Sequence, residues 1–286
     1  MSEVLAPAVI EAAPGLAERY LPAFLAGREG WCQGFSEPEA GSDLASLRCR
    51  AVDAGNHWVV TGQKVWTSYA QYAARMVLLT RTGTTQDRHR GITALLVDMD
   101  SPGITVRPLD AINDMAEFSE TFFDEVPVPK DRVIGEVNGG WPVAMRMLRS
   151  ERGGIFWTLS AWLLDELGHL AGEAGLEPAD DDALGRLFCS VAALRTRSWT
   201  TQHRLAQGHI EIPETSIDKI LMATAEQELF DQVRQSLDGE LEFGDSDAST
   251  WLRSAFMYSR AASVYGGTAE IQRNIVADQL LGLRHV

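Results

Sequence analysis

Trp31-Cys-Gln-Gly-Phe-Ser-Glu-Pro-Glu-Ala-Gly-Ser-Asp43, followed downstream by Gly62-Gln-Lys-Val-Trp-Thr-Ser68, decides how this chain is read. The first stretch is an extended segment that runs into a Pro/Gly/Ser turn. Two short strands then follow and end at the second, hydroxyl-rich stretch. Ser36, Thr67 and Ser68 offer small hydroxyl groups, while Phe35 and Trp66 offer flat apolar surface. Hydroxyls beside aromatic faces suit a large planar cofactor with polar edges. An ordinary hairpin with a polar turn is the plainer explanation, but it leaves two long motifs in register to chance.

Outward from these motifs the texture is β-rich from Trp31 to about Glu136. Strands are expected at 47–52, 58–61, 76–80, 92–97, 104–108 and 119–126. Ala54-Gly-Asn56, Gly83 and Ser101-Pro-Gly103 supply the turns between them. Strands that follow each other without intervening helices imply an antiparallel barrel or sandwich rather than a βαβ sheet. Before this region, residues 1–30 read as short helical pieces broken by Pro14-Gly15 and Pro22, with Gly27 placed to end the last turn. After Asn138-Gly-Gly-Trp141 the pattern turns helical. Ile217, Ile220, Leu221, Leu229, Phe230, Val233 and Leu237 recur at three- and four-residue spacing. Thr215, three residues before Asp218 and just after Pro213, looks like a capping-box start. The acidic stretch 177–182 is read as complementing a helix dipole. The expected class is thus α+β: helical pieces over 1–30, a β-domain over 31–136 and a C-terminal helical bundle over 137–286.

Asp and Glu number 40 against 25 Lys and Arg, a formal net charge of −15. Long-range repulsion then disfavours nucleic acid and anionic membranes as partners. Cys32, Cys49 and Cys189 make neither a metal-ligand spacing nor an even disulfide set, which points to a reducing, cytoplasmic compartment. The N-terminus lacks a basic region ahead of its apolar residues, so no signal peptide is expected. No G-x-G-x-x-G, P-loop, H-E-x-x-H or C-x-x-C occurs, and the six His show no ligand spacing. No metal is expected.

The two opening motifs resemble, in order and spacing, the cofactor-binding β-domain of the acyl-CoA dehydrogenases. Phe118–Pro129, Val133-Ile-Gly-Glu136 and Gly140-Trp141 are similar to that family's passage into its C-terminal bundle. Tyr265-Gly-Gly-Thr-Ala-Glu-Ile-Gln-Arg-Asn-Ile275 resembles its C-terminal helix. The resemblance implies FAD as cofactor, held by Gln33, Phe35, Ser36, Trp66, Thr67 and Ser68, with Thr268 and Glu270 on the cofactor side as well. It implies acyl-CoA as substrate, with Ser42 near the CoA chain, and an electron-transfer flavoprotein as acceptor. Two departures stand out. Residues 1–30 match only the end of the family's N-terminal helical domain. Neither an Arg-x-x-Phe-Gly nor a Gln-x-x-Gly-Gly segment is found, and the family uses both to hold FAD across a subunit interface. Sites shared in that way, and a β-domain short of its helical cover, imply a homo- or hetero-oligomer.

Many relatives carry their catalytic base in Tyr-Glu-Gly-Thr, where this chain reads Tyr265-Gly266-Gly267-Thr268. Glycine cannot take a proton. Another branch places a Glu beside an Arg on the first long helix of the bundle, and here Glu151-Arg152 stands at that place. Glu151 is accordingly expected to be the base and Arg152 a positive group for the CoA side, although a Glu-Arg pair on a helix surface is common. Trp157 and Trp162 on the same helix are read as packing residues. The rival expectation is a non-catalytic subunit that completes the site of a partner chain; a start codon lying upstream is a third. Oxidases and flavin monooxygenases share the fold, so fold alone does not fix the reaction.

Overall fold

The computed structural model describes residues 1–172, 181–208, 212–236 and 239–283. They form two compact units: Met1–Ala111 with Met115–Ser150, and Ile112–Asp114 with Glu151–Val286.

The first unit opens with helices α1 (Ser2–Ala12) and α2 (Pro14–Leu25). Pro14 occupies the first turn of α2, where its missing N–H is no loss. Pro22, expected to break the helix, lies inside it. The lost backbone bond is outweighed by burial of Leu16, Tyr20, Leu21 and Phe24 along one face. Gly27 ends α2 as expected. At φ +66° it lets its own N–H reach Phe24 O at 3.0 Å and the Arg28 N–H reach Ala23 O at 3.0 Å, the paired bonds of a Schellman motif.

Eight strands follow: β1 (Gly30–Gly34), β2 (Arg50–Asp53), β3 (His57–Ser68), β4 (Ala73–Arg81), β5 (Ile92–Asp98), β6 (Ile104–Pro108), β7 (Phe118–Pro129) and β8 (Val133–Ile134). Their order in the sheet is β6-β7-β3-β2-β4-β5-β8, with β1 added beside β4. The expected β-rich domain and the helical domain after it are both present, but the sheet corrects two details. It is not closed into a barrel, since no pairing joins β6 to β8 among the described residues. Nor is it wholly antiparallel: β1 runs parallel to β4, and β2 meets β4 in parallel at Arg50–Arg81. The β2–β3 hairpin between β1 and β4 supplies the long crossover that parallel pairing needs. β3 is also longer than the expected 58–61. It continues through the second motif to Ser68, with irregular register between Val60 and Gly62 and between Lys64 and Thr67. Cys32, Trp58, Val60, Met76, Leu78, Leu95, Phe123 and Val126 fill the core beneath it.

The second unit is helical. Helix α3 (Gly140–Gly172) enters it, followed by α4 (Asp181–Ala206), α5 (Ile212–Ser236), α6 (Glu240–Phe243), α7 (Asp247–Ser259) and α8 (Ala269–Ile275). Phe156, Leu163, Leu187, Val191, Leu194, Met222, Leu229, Phe230 and Val233 make its core. Trp162 packs on Phe230 at 5.8 Å, and Trp157 lies under the Arg195 guanidinium, so both act in packing as expected. The start of α5 departs from expectation. Thr215, Ser216, Asp218 and Lys219 are buried there, and Ile217 and Ile220 are only partly so. Asp218 is no cap residue. It accepts a hydrogen bond from Arg197 Nε at 2.9 Å and another from the Thr201 hydroxyl, both on α4. Residues 177–180 and Leu237, named above, lie outside the described residues. Among the described residues no helix is long and apolar enough to cross a membrane.

Candidate functional site

In the first unit the two motifs are fastened to each other by one buried ion pair. Glu37 accepts the backbone N–H groups of Arg48 at 2.6 Å and Cys49 at 2.9 Å. The same carboxylate takes a bond from Lys64 Nζ at 2.7 Å, and that ammonium also donates to Phe35 O at 3.0 Å. Lys64 is fully buried and Glu37 nearly so. Such burial is tolerable because every charged atom has good partners; breaking the pair from one side would be costly. A further bond, Val65 N–H to Ser36 O at 2.9 Å, lays Phe35-Ser36 alongside β3 just before Trp66. Neither Glu37 nor Lys64 was picked out from sequence. A lysine between Gln63 and Val65 reads as a solvent-facing strand position, and only its place inside the second motif hinted otherwise.

Trp66 is where this framework opens outward. Its backbone sits at φ +59°, uncommon for a bulky residue, and its side chain is 63% exposed. The register irregularity between Lys64 and Thr67 produces that conformation. Phe118 meets the indole edge-on at 6.0 Å. An aromatic ring kept in a strained, exposed pose is a recognised mark of a binding position. Thr67 is buried, and its hydroxyl has no hydrogen-bond partner among the described residues. Ser68, Ser36 and Gln33 are half-buried, and Ser42 is exposed in the turn. The Phe35 ring is buried in the interior, so this residue offers backbone rather than ring surface. Burial pushes the Cys32 thiol up to about 12 and the Cys49 thiol up to about 11, which removes both as nucleophiles.

In the second unit Glu151, on α3, faces the double-glycine turn ahead of α8. Gly266 takes φ +63°, and a Cβ placed on it would lie 3.7 Å from Glu151 Oε1 and 3.5 Å from Lys219 Cε. The side-chain position that Gly266 leaves vacant thus lies beside the Glu151 carboxylate. Gln272 holds this turn in place, donating from Nε2 to Gly266 O at 3.0 Å and to Gly267 O at 3.3 Å. Thr268 is the N-cap of α8, accepting the Ile271 N–H at 3.3 Å. Glu270 is exposed near Arg273. The side chain of Arg152 lies outside the described residues.

Behind Glu151 lies a group of ionisable side chains that the sequence did not flag. Lys219, only 2% exposed, donates to Ala262 O and lies 4.2 Å from the centroid of the Tyr265 ring. The Tyr265 hydroxyl donates to Glu226 Oε2 at 3.3 Å. Burial pushes the Glu226 carboxyl up to about 7, although the Tyr265 bond, the Lys219 charge and the Arg260 charge all work against that rise. Tyr265 is raised above the ordinary phenol range, first by burial and then by the charge of Glu226. Among the described residues no three His, Cys, Asp or Glu come together to hold a metal.

Comparison with known proteins bears on this arrangement from two directions. Residues 32–126 match the family described as acyl-CoA dehydrogenase, middle domain, and residues 138–281 match acyl-CoA dehydrogenase, C-terminal domain. Acyl-CoA dehydrogenase IpdE1 of Mycobacterium tuberculosis is 37% identical over 98% of this chain and 74% of its own length. Acyl-CoA dehydrogenase FadE34 of the same organism is 38% identical over 97% of this chain but only 39% of its own length. Among solved structures, the Tcur3481-Tcur3483 steroid ACAD superposes with a TM-score of 0.88 at 25% identity, covering 99% of this chain and 76% of that one. The ChsE4-ChsE5 complex from Mycobacterium tuberculosis gives 0.85 at 27% identity, covering 99% and 77%.

Proposed function

The chain belongs to the acyl-CoA dehydrogenase family, a family of oxidoreductases, and we propose that it carries out FAD-dependent α,β-dehydrogenation of an acyl-CoA thioester with Glu151 as the base. The observation that carries this reading is the pairing of Glu151 with Gly266. The residue type that most needs replacing in Tyr265-Gly-Gly-Thr is a proton acceptor, and a carboxylate from another helix stands beside the vacated side-chain position. A base must reach the substrate proton and be ionised when it does so. Glu151 would take the proton α to the thioester carbonyl, and the room left by Gly266 would admit the substrate's reacting carbons.

FAD, when bound, supplies the acceptor for the hydride that leaves the β carbon. The residues of the first unit fit such a group. Trp66 presents a broad exposed ring, Ser36 lies alongside β3 and Ser68 ends it, both half-buried, and the buried Thr67 hydroxyl lacks a partner among the described residues. The Glu37–Lys64 pair would hold Phe35-Ser36 at fixed distance from the Trp66 backbone. Gln33, Phe35, Thr268 and Glu270 are assigned to the cofactor by resemblance, and Ser42 and Arg152 to the CoA side. An electron-transfer flavoprotein is the proposed acceptor, in a cytoplasmic setting.

A heteromeric assembly is the second reading. Both solved structures named above carry the names of two different chains, Tcur3481 with Tcur3483 and ChsE4 with ChsE5. In that reading this chain completes a site together with a second subunit. Changing Glu151 to Gln keeps the shape and removes the proton acceptor. It is expected to abolish anaerobic bleaching of bound flavin by acyl-CoA while FAD and acyl-CoA still bind. Bleaching at the wild-type rate would leave the chain as a structural subunit, with the base elsewhere.

A further inference from the structure

We infer that Lys219 is a positioning residue whose buried ammonium is shared between two carboxylates, Glu151 and Glu226, so that the charge on Glu226 sets how readily Glu151 ionises. This deepens the reading of Glu151 as the base and rests on it for its catalytic meaning. The coupling itself rests on geometry.

Two side chains, those of Glu151 and Lys219, converge on the Gly266 turn. The point where a Gly266 Cβ would stand lies 3.7 Å from Glu151 Oε1 and 3.5 Å from Lys219 Cε, so the two side chains flank the same small space. The same ammonium lies 4.2 Å from the Tyr265 ring centroid, and the Tyr265 hydroxyl donates to Glu226 at 3.3 Å. These contacts gather Glu151, Lys219, Tyr265 and Glu226 into one cluster. Lys219 and Glu226 are 2% and 5% exposed. Charges separated this way from water act on each other far more strongly than surface charges do. Both carboxylates feel the phenol: the negative charges of Glu226 and Glu151 each oppose its ionisation, so it stays a neutral donor.

Other charged and titratable groups among the described residues bear on the cluster. Arg260, from the turn after α7, favours ionisation of Glu226 and is itself bonded to Asp231 at 2.9 Å. Tyr258 faces the Tyr265 ring at 6.1 Å. Glu226 is pushed up to about 7 by burial, so it changes charge where Glu151 has to work. When Glu226 is protonated, the field of Lys219 falls on Glu151 alone and favours its carboxylate. When Glu226 ionises, the two compete for one cation, and Glu151 is held less firmly in its ionised form. Lys219, whose burial near the start of α5 looks misplaced in a helix-packing pattern, acquires a purpose in this arrangement.

The test is a titration that does not depend on turnover. The full-length protein is labelled with ¹³C at the glutamate side-chain carboxyl and followed by NMR from the carboxylate range through neutrality. The Glu151 and Glu226 signals are those lost in the Glu151→Gln and Glu226→Gln variants. Lys219→Met is expected to raise the Glu151 midpoint by about one unit or more, the usual effect of losing an adjacent opposite charge. Glu226→Gln is expected to lower it by a smaller amount. Opposite signs are the decisive feature, because general loosening of the bundle would move the midpoint the same way in both. A Glu151 midpoint unmoved in Glu226→Gln, or moved in one direction by both changes, overturns the inference. Should Lys219→Met not fold, Glu226→Gln alone decides it. If the coupling is present but Glu151→Gln still bleaches flavin, the cluster stands and the base reading falls.

Discussion

Two buried lysines, one in each unit, show how the same side chain serves opposite ends. Lys64 is enclosed by partners: it bonds Glu37 and Phe35 O, and Glu37 in turn takes two backbone N–H groups. Charge and geometry there lock each other, and the product is a rigid loop beside Trp66. Lys219 donates to Ala262 O, lies over the Tyr265 ring and favours the charged form of Glu226, to which the Tyr265 hydroxyl is bonded. Glu226 keeps a raised pKa despite that help. A buried ammonium bonded directly to a carboxylate builds a scaffold; one set between two carboxylates leaves their charges adjustable. The first arrangement suits a cofactor cradle and the second suits acid–base chemistry.

The largest effect should come from breaking the scaffold. Lys64→Met strands Glu37 in the interior and is expected to cost about 3–5 kcal/mol of stability, measured by denaturant unfolding. Flavin occupancy should fall with it. A loss below about 1 kcal/mol, the ceiling for most exposed ion pairs, would place Lys64 in the same adjustable class as Lys219.

Glu226→Gln should do the reverse, and its effect should depend on pH. Burial pushes the Glu226 carboxyl in the fold from its ordinary 4.5 up to about 7. Between those values the folded protein binds more protons at this site than the unfolded chain, so stability from this group is lost as pH rises through the window. The variant escapes that loss. Its stability relative to wild type should therefore climb from about pH 4.5 and level off above about pH 7, gaining about 3 kcal/mol at most. A difference independent of pH would show that Glu226 is fully ionised in the fold.

Smaller again is the expected cost of Thr268→Ala, about 1 kcal/mol for the lost cap of α8, read from thermal unfolding. Trp66→Ala should change the stability of the flavin-free protein least, within about 0.5 kcal/mol, because the ring is largely exposed. Its effect should appear instead as reduced flavin absorbance per chain. Unchanged occupancy would remove Trp66 from the cofactor site.

The contrast also explains what the sequence could reveal. Strands bounded by turn residues, the Gly27 helix stop and the packing role of Trp157 and Trp162 follow from local pattern, and the structure has them. The two motifs located Trp66, and the exchange of Glu for Gly at position 266 directed attention to Glu151. Neither buried lysine was visible. Lys64, Lys219, Asp218 and Glu226 carry polar letters, and periodicity assigns such letters to the surface unless their partners are known. Those partners lie 27 residues away for Lys64 and 43 for Lys219. The parallel pairing of β1 with β4 and the open sheet edges were hidden for the same reason, since both depend on contacts distant in the chain. The left-handed backbone of Trp66 arises from a change of register inside β3, which no residue preference announces.

The central claim is that Glu151 performs the proton transfer that Gly266 cannot. Wash-in of deuterium at the α carbon reports that step directly. The protein is incubated anaerobically in D₂O with an acyl-CoA that bleaches the wild-type flavin, and the recovered thioester is analysed by mass. Wild type should exchange the α hydrogen, Glu151→Gln should not, and adding Gly266→Glu to that variant should return part of the exchange, because the new carboxylate would enter the space beside residue 151. Exchange by Glu151→Gln at the wild-type rate would contradict the claim.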